Sequence, residues 1–269
     1  HIYRSTDGGR SFTPVLKFDH QTSTPFVGGI AVDDEDNIYF GEYDCTSRPH
    51  AIDIFKGTND GQAWQVVHKF DSGDIFHVHS LQYDPYRDRI WVCTGDRDEE
   101  SRLLFTDDEF ESLNILGGGD QGWRIVSLII EPDYLYWGSD NDRTGAHFYR
   151  YNFASQEREP VLYVGKPSYF STKLNDGTLV INTVYEPQSP FTKEQQPEAT
   201  TDIWISKNGL DWYNVLKLPR QSYETGSGTE RASIILARGD NSATFLYMMP
   251  QSTSLHQNST LKFKIDWKE

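Results

Sequence analysis

The sequence predicts an all-β fold, a β-propeller of four-stranded antiparallel blades, on three observations. Short runs of alternating apolar, β-branched and aromatic residues come in pairs across turns rich in Asp, Asn, Pro and Gly. A turn motif recurs along the chain in phase with those pairs. Helix signals are nearly absent: only residues 192–198 form a candidate helical turn, and Pro187, Pro190 and Pro197 crowd it.

The totals agree with a folded β domain. The chain has 269 residues with 14% aromatics, enough to bury a core. Its formal charge of −15 argues against nucleic acid or an anionic membrane as partner, because both require a basic face. No apolar run approaches the roughly 18 residues needed to span a bilayer, so membrane insertion is not expected. No secretory leader is visible. Two cysteines, Cys45 and Cys93, make no disulfide framework. The compartment stays open, a secreted or cell-surface one being favoured.

Taken in order, the elements repeat one plan. Ser5, Asp7, Gly9 and Phe12 form a turn between two strands in residues 1–18. The spacing returns as Thr58, Asn59, Gly61 and Trp64, more degraded as Thr106, Asp108 and Phe110, and again as Ser206, Asn208 and Trp212. A short Asp or Asn side chain caps its own turn, Gly accepts a positive φ, and the closing aromatic packs back on the repeat. Innermost strands then fall near 27–33, 77–83, 123–130, 168–174 and 231–237. Second strands follow near 37–43, 89–96, 134–140, 178–186 and 244–249, across turns at 33–37, 84–88, 131–133, 175–177 and 239–242. The repeats run near 27–70, 77–117, 122–165, 167–218 and 231–266 within a single domain over 1–269. Residues 1–18 would supply outer strands that close the ring. Five innermost strands give five blades. A surplus strand at 261–265 keeps a six-bladed ring with a truncated amino terminus as the alternative. Loops 44–51 and 186–201 are longer than the repeat needs, and long loops on a rigid scaffold are where binding residues sit.

The recurrent turn resembles the Asp box (BNR repeat), which lies between the third and fourth strands of blades in sialidase-like propellers. That resemblance covers most of the chain and implies the propeller fold.

In an up-and-down blade, the ends of the second strands and the starts of the inner strands share one face. The second strands end in Gly41, Glu42 and Tyr43; in Gly95, Asp96 and Arg97; in Gly138, Asp140 and Asn141; and in Tyr185 and Glu186. The inner strands begin at Gly28, at His77 and His79, at Gln121, Trp123 and Arg124, at Ser168 and Tyr169, and at Glu230 and Arg231. Acids, histidines, arginines and tyrosines thus converge on one channel mouth. Each has a bland reading beside the functional one: acids cap turns, arginines pair with them, and aromatics pack between blades. His77 and His79 alternate onto one side of their strand. With Asp96, Asp140 or Gln121 they suit a divalent metal, although no cofactor is strictly required.

Two functional classes follow. The first is a carbohydrate-active enzyme, a glycoside hydrolase or a polysaccharide lyase acting on an acidic glycan. Its catalytic candidates are His77, His79, Asp96, Asp140, Tyr169 and Glu186. Its substrate contacts are Glu42, Tyr43, Arg97, Gln121, Trp123, Arg124, Asn141 and Arg231. The sialidase-like resemblance implies arginines (Arg124 and Arg231) on a substrate carboxylate, Tyr169 or Tyr185 beside Glu186 as nucleophile, and Asp96 or Asp140 as acid. In a lyase, His77, His79 or Tyr169 would take the proton next to a uronate while Arg124 or a cation neutralises the carboxylate. The second class is a non-catalytic propeller that binds glycan or protein. Lectin propellers repeat one pocket per blade, whereas these inner-strand starts differ from blade to blade, which favours the enzyme.

Overall fold

The structure is a computed structural model that describes residues 1–18, 24–43, 50–187, 198–221, 231–237 and 245–267. Cys45, Glu230, the turn at 239–242, and most of the loops 44–51 and 186–201 with the helical turn at 192–198 lie outside the described residues. The chain forms two compact units, His1–Ile125 and Val126–Glu269.

In the first unit, β1 (Ile2–Arg4) and β2 (Thr13–Leu16) pair as a two-stranded sheet. Strands β3 (Ile30–Val32), β4 (Ile38–Gly41), β5 (Ile52–Thr58) and β6 (Ala63–Phe70) make a four-stranded sheet in chain order. So do β7 (His77–Asp84), β8 (Arg89–Gly95), β9 (Arg102–Thr106) and β10 (Asn114–Gly118). Every pairing is antiparallel, as hairpins between sequential strands require. Middle strands such as β5 and β8 are buried on both faces, whereas the outer strand β6 alternates with solvent. The core joins Ile54 of β5, Leu81 of β7 and Val92 of β8 with Phe110. Ile2 and Leu16 pack with Phe18 against Phe40, Phe55 and Trp64, which seats the amino-terminal pair on the sheet that follows it.

The second unit repeats the plan. Strands β11 (Ile129–Ile130), β12 (Tyr134–Gly138), β13 (His147–Asn152) and β14 (Glu157–Tyr163) form one sheet. Strands β15 (Ser171–Lys173), β16 (Leu179–Thr183), β17 (Thr200–Ser206) and β18 (Tyr213–Pro219) form the next. The last sheet is β19 (Ser233–Leu236), β20 (Phe245–Gln251) and β21 (Leu261–Lys264). Its core gathers Ile129, Tyr136, Phe148 and Ile181, with Trp204 and Trp212 packed on them.

The five innermost strands of the sequence reading are β3, β7, β11, β15 and β19. The strand near 261–265, surplus in the sequence count, is the third strand of the last sheet, and the amino-terminal pair hydrogen-bonds as a sheet of its own. Apart from β7, the inner strands are shorter than expected, β11 most of all. Residues 121–123 coil into a 3₁₀ turn, because the Asp120 carboxylate accepts from Gly122 N at 2.7 Å and caps it, so the strand contracts to Ile129–Ile130. A second 3₁₀ turn occupies Asp98–Glu100. Among the described residues, no helix is long and apolar enough to cross a membrane.

The first box turn joins β1 to β2, and the others sit between the third and fourth strands of their sheets. Gly9 N donates to Ser5 Oγ at 2.8 Å, and Arg10 N and Ser11 N donate to Asp7 Oδ1, each at 2.9 Å. Thr106 and Asp108 repeat this geometry toward Phe110 N and Ser112 N, each at 2.9 Å. Asn208 Oδ1 likewise accepts from Leu210 N and Asp211 N at 2.9 Å. Trp64 Nε1 and Trp212 Nε1 fold back to the carbonyls of Gly61 and Gly209.

Candidate functional site

In the first unit the residues that meet are His77, His79, Asp96 and Arg124. A bulge between Val78 and Ser80 makes His79 the extra residue of β7, so simple alternation is broken, yet both imidazoles still face Asp96. Their ring centroids are 4.8 Å apart, and both side chains are almost fully buried. Gly95 makes this possible: a Cβ there would stand 2.4 Å from His79 Cε1. Asp96 follows directly, and its backbone is fixed from two sides. Asp96 N and Arg97 N both donate to the buried Glu100 carboxylate at 3.1 Å, and Gln121 Nε2 donates to Asp96 O at 3.0 Å.

One oxygen of Asp96 collects the contacts. Oδ1 is 3.4 Å from His77 Nε2, 3.3 Å from His79 Nε2 and 3.1 Å from Arg124 Nη2. Burial alone would raise the Asp96 pKa, but the two imidazoles and the guanidinium hold it well below the usual carboxylate range. Burial pushes His79 down to about 4, Asp96 opposing. A carbonyl only accepts, so His79 Nδ1 donates to Ile125 O at 2.9 Å. That bond fixes the ring with Nε2 turned to Asp96 Oδ1 at 3.3 Å. A carbonyl partner on the far nitrogen is the usual way a ligating histidine is held.

The distances fit. Ligand atoms about 2.1 Å from one ion, at tetrahedral to octahedral angles, stand roughly 3.0–3.4 Å apart. Donor atoms of His77, His79 and Asp96 all lie within 4.8 Å of one another. Two imidazoles and a carboxylate suit a divalent transition metal.

Other predicted residues of this unit surround the group or stand apart from it. Tyr43 lies on His77 with ring centroids 4.0 Å apart, and Phe76 stacks at 4.7 Å, so two aromatic rings fix the imidazole. Buried Glu42 accepts from Asp53 N at 3.0 Å, which ties it to β5. Arg97 is exposed at the start of the Asp98–Glu100 turn. Gln121 braces the loop through Asp96 O and, at 2.8 Å, Asp98 Oδ1. Trp123 is buried against Gly117, where a Cβ would stand 2.2 Å from its ring. The sequence reading missed Phe76, Glu100 and the Ile125 carbonyl. Glu100 carried a signal, an acid three residues after a turn start; a backbone carbonyl carries none.

The second unit holds another group. Tyr169 Oη donates to Glu186 Oε1, and Arg231 Nε donates to the same oxygen at 2.9 Å. The Arg231 guanidinium is 5.7 Å from the Tyr169 ring centre. Burial first, then the charges of Asp140 and Glu186, push the Tyr169 hydroxyl well above its ordinary pKa. Of the two tyrosines open in the sequence, Tyr169 meets Glu186, while Tyr185 bridges by its backbone to Ala232. Asn141 instead organises its own loop, donating to Thr144 Oγ1 at 2.8 Å and to Gly145 O at 2.9 Å.

No family model matches the sequence, and no curated protein matches it. Solved structures match it in fold. One is the GH74 xyloglucanase from Xanthomonas campestris, with a TM-score of 0.62 and 14% identity over 93% of this chain and 39% of that one. Another is an oligogalacturonate lyase in complex with manganese, at 0.54 and 10% over 94% and 68%. A third is a chain of a nidogen/laminin complex, at 0.54 and 11% over 85% and 73%. The chain thus spans well under half the length of the xyloglucanase. These similarities extend to the architecture alone: the chain takes an all-β, β-propeller fold.

Proposed function

We propose that this protein is a carbohydrate-active enzyme that cleaves an acidic glycan by elimination next to a uronate carboxylate. The observation that carries this reading is the convergence of His77 Nε2, His79 Nε2 and Arg124 Nη2 on Asp96 Oδ1 at 3.4, 3.3 and 3.1 Å. In this reading His77, His79 and Asp96 hold a divalent cation. Such an ion supplies charge neutralisation at the carboxylate, which acidifies the neighbouring C–H. Arg124 receives the carboxylate by paired hydrogen bonds. Tyr43, whose ring lies 4.0 Å from that of His77 between centroids, is assigned proton transfer. Two solved structures of similar fold support the coarser reading of a carbohydrate-active propeller: one is a xyloglucanase, and the other is an oligogalacturonate lyase in complex with manganese.

Incubation with polyuronates should give products absorbing near ~235 nm, the unsaturated uronate band expected of elimination. His79→Ala, Arg124→Ala and Tyr43→Phe should each lower that rate by about 100-fold or more. Undiminished rates in all three variants would remove this site from the chemistry. A second reading is favoured by the Tyr169–Glu186 hydrogen bond, which suits a hydrolase with a tyrosine nucleophile. New reducing ends without the absorbance, abolished by Tyr169→Phe, would select it.

A further inference from the structure

Three groups point at one oxygen, and an oxygen has two lone pairs. Asp96 Oδ1 is approached by His77 Nε2, His79 Nε2 and Arg124 Nη2 at 3.4, 3.3 and 3.1 Å. The Arg124 side chain is only 12% exposed, so solvent barely screens what it feels. An ion bound to Oδ1 at about 2.1 Å would stand within roughly 5 Å of that guanidinium. It would also withdraw the negative charge that holds the guanidinium in place.

We propose that a divalent cation and Arg124 compete for Asp96, so that cation capture releases the Arg124 guanidinium to receive the carboxylate of an acidic sugar. The inference rests on the cation reading of His77, His79 and Asp96, and it adds an order of binding. In the metal-free protein Arg124 neutralises Asp96 and is a poor anion receptor. With the ion in place, Asp96 no longer needs a counter-charge, and the guanidinium fork turns to the ligand. Cation and uronate are therefore positively coupled, and by linkage each raises the affinity for the other by the same factor.

The test is calorimetric titration of the metal-free full chain with manganese(II) and with glucuronate, glucose serving as neutral control. Near-ultraviolet dichroism checks that each variant is folded. Arg124→Ala lacks the competitor and should bind manganese about tenfold more tightly than the unmodified chain, while His79→Ala should lose the ion. Manganese should tighten glucuronate binding to the unmodified chain about tenfold and tighten its binding to Arg124→Ala much less. Arg124→Lys keeps the charge without the fork and should restore competition for the ion more fully than the coupling to glucuronate. Manganese binding that depends on His79 but is no tighter in Arg124→Ala would overturn the competition while leaving the cation site standing. Coupling of equal size in Arg124→Ala would mean that the ion itself grips the carboxylate, which also overturns it. Manganese binding indifferent to His79→Ala would bring down the cation reading and this inference together.

Discussion

An exposed carboxylate can be held ionised by its own turn without an ion pair, and Asp7 is such a case. Hydrogen bonds from Ser11 Oγ and Ser11 N, with a further one from Ser5 Oγ, lower its pKa from 3.8 to about 2. The folded value lies below the unfolded one, so the contribution is complete above about pH 4 and is lost as the pH falls through about 2. Asp7→Asn keeps the oxygen that accepts from the turn's N–H groups, as Asn208 does in the fourth turn, and removes the charge together with the Oδ2 acceptor of Ser11 Oγ. Thermal melts should separate the variant from the unmodified chain at pH 5 and bring the two together near pH 2. A gap that does not change with pH would assign the effect to something other than ionisation. The same logic decides what the sequence displays. Asp7, Asp108 and Asn208 are legible because a local turn needs no other part of the chain. His77 and His79 stand out as polar residues in an apolar strand. The Ile125 carbonyl that fixes the His79 proton is invisible in sequence, because every residue has one.

Three second strands, β4, β8 and β12, end in a glycine followed by a polar run, and packing explains the glycine. A Cβ on Gly41 would lie 2.5 Å from Val78 Cβ, and one on Gly138 would lie 2.4 Å from Ser168 Cβ. In each case the start of the next inner strand occupies the space, so the glycine marks a close approach between sheets rather than a turn. Sequence alternation found the strand pairs well, but it missed the 3₁₀ turns at Asp98–Glu100 and Gln121–Trp123, which are too short to show a period. The β7–β8 turn shows how one residue can hold an element. Asp84 is fully buried and accepts from Tyr86 N at 2.9 Å, Arg87 Nη1 at 2.8 Å and Trp91 Nε1 at 3.0 Å. Asp84→Ala strands the buried indole N–H and uncaps the turn, and should cost about 3 kcal/mol in urea unfolding. A loss below about 1 kcal/mol would show that water or a shifted Arg87 replaces the carboxylate. Because β7 carries His77 and His79 and β8 leads into Asp96, the same variant should also weaken the site.

At the scale of the whole molecule the governing quantity is charge. On the proposed function, a chain of net charge −15 would work against long-range repulsion from a polyanion and rely on local cations, Arg124 and any bound ion, to capture a carboxylate. The two effects have different ranges. Repulsion between the molecules extends over a Debye length, about 30 Å at 0.01 M salt and about 8 Å at 0.15 M, whereas the contact at Arg124 is buried and short. Raising salt from 0.01 to 0.15 M should therefore remove the repulsion faster than it weakens the contact. The KM for a long polyuronate should fall several-fold over that range, while the KM for a short oligomer, which carries few charges, should change little. A protein that binds polyanions through a basic groove shows the opposite slope, because salt displaces it from the polymer. Steady-state rates on one substrate at two chain lengths and two salt concentrations decide the matter. A KM that rises with salt for the polymer would mean that a basic surface, not a single buried arginine in an acidic molecule, captures the substrate.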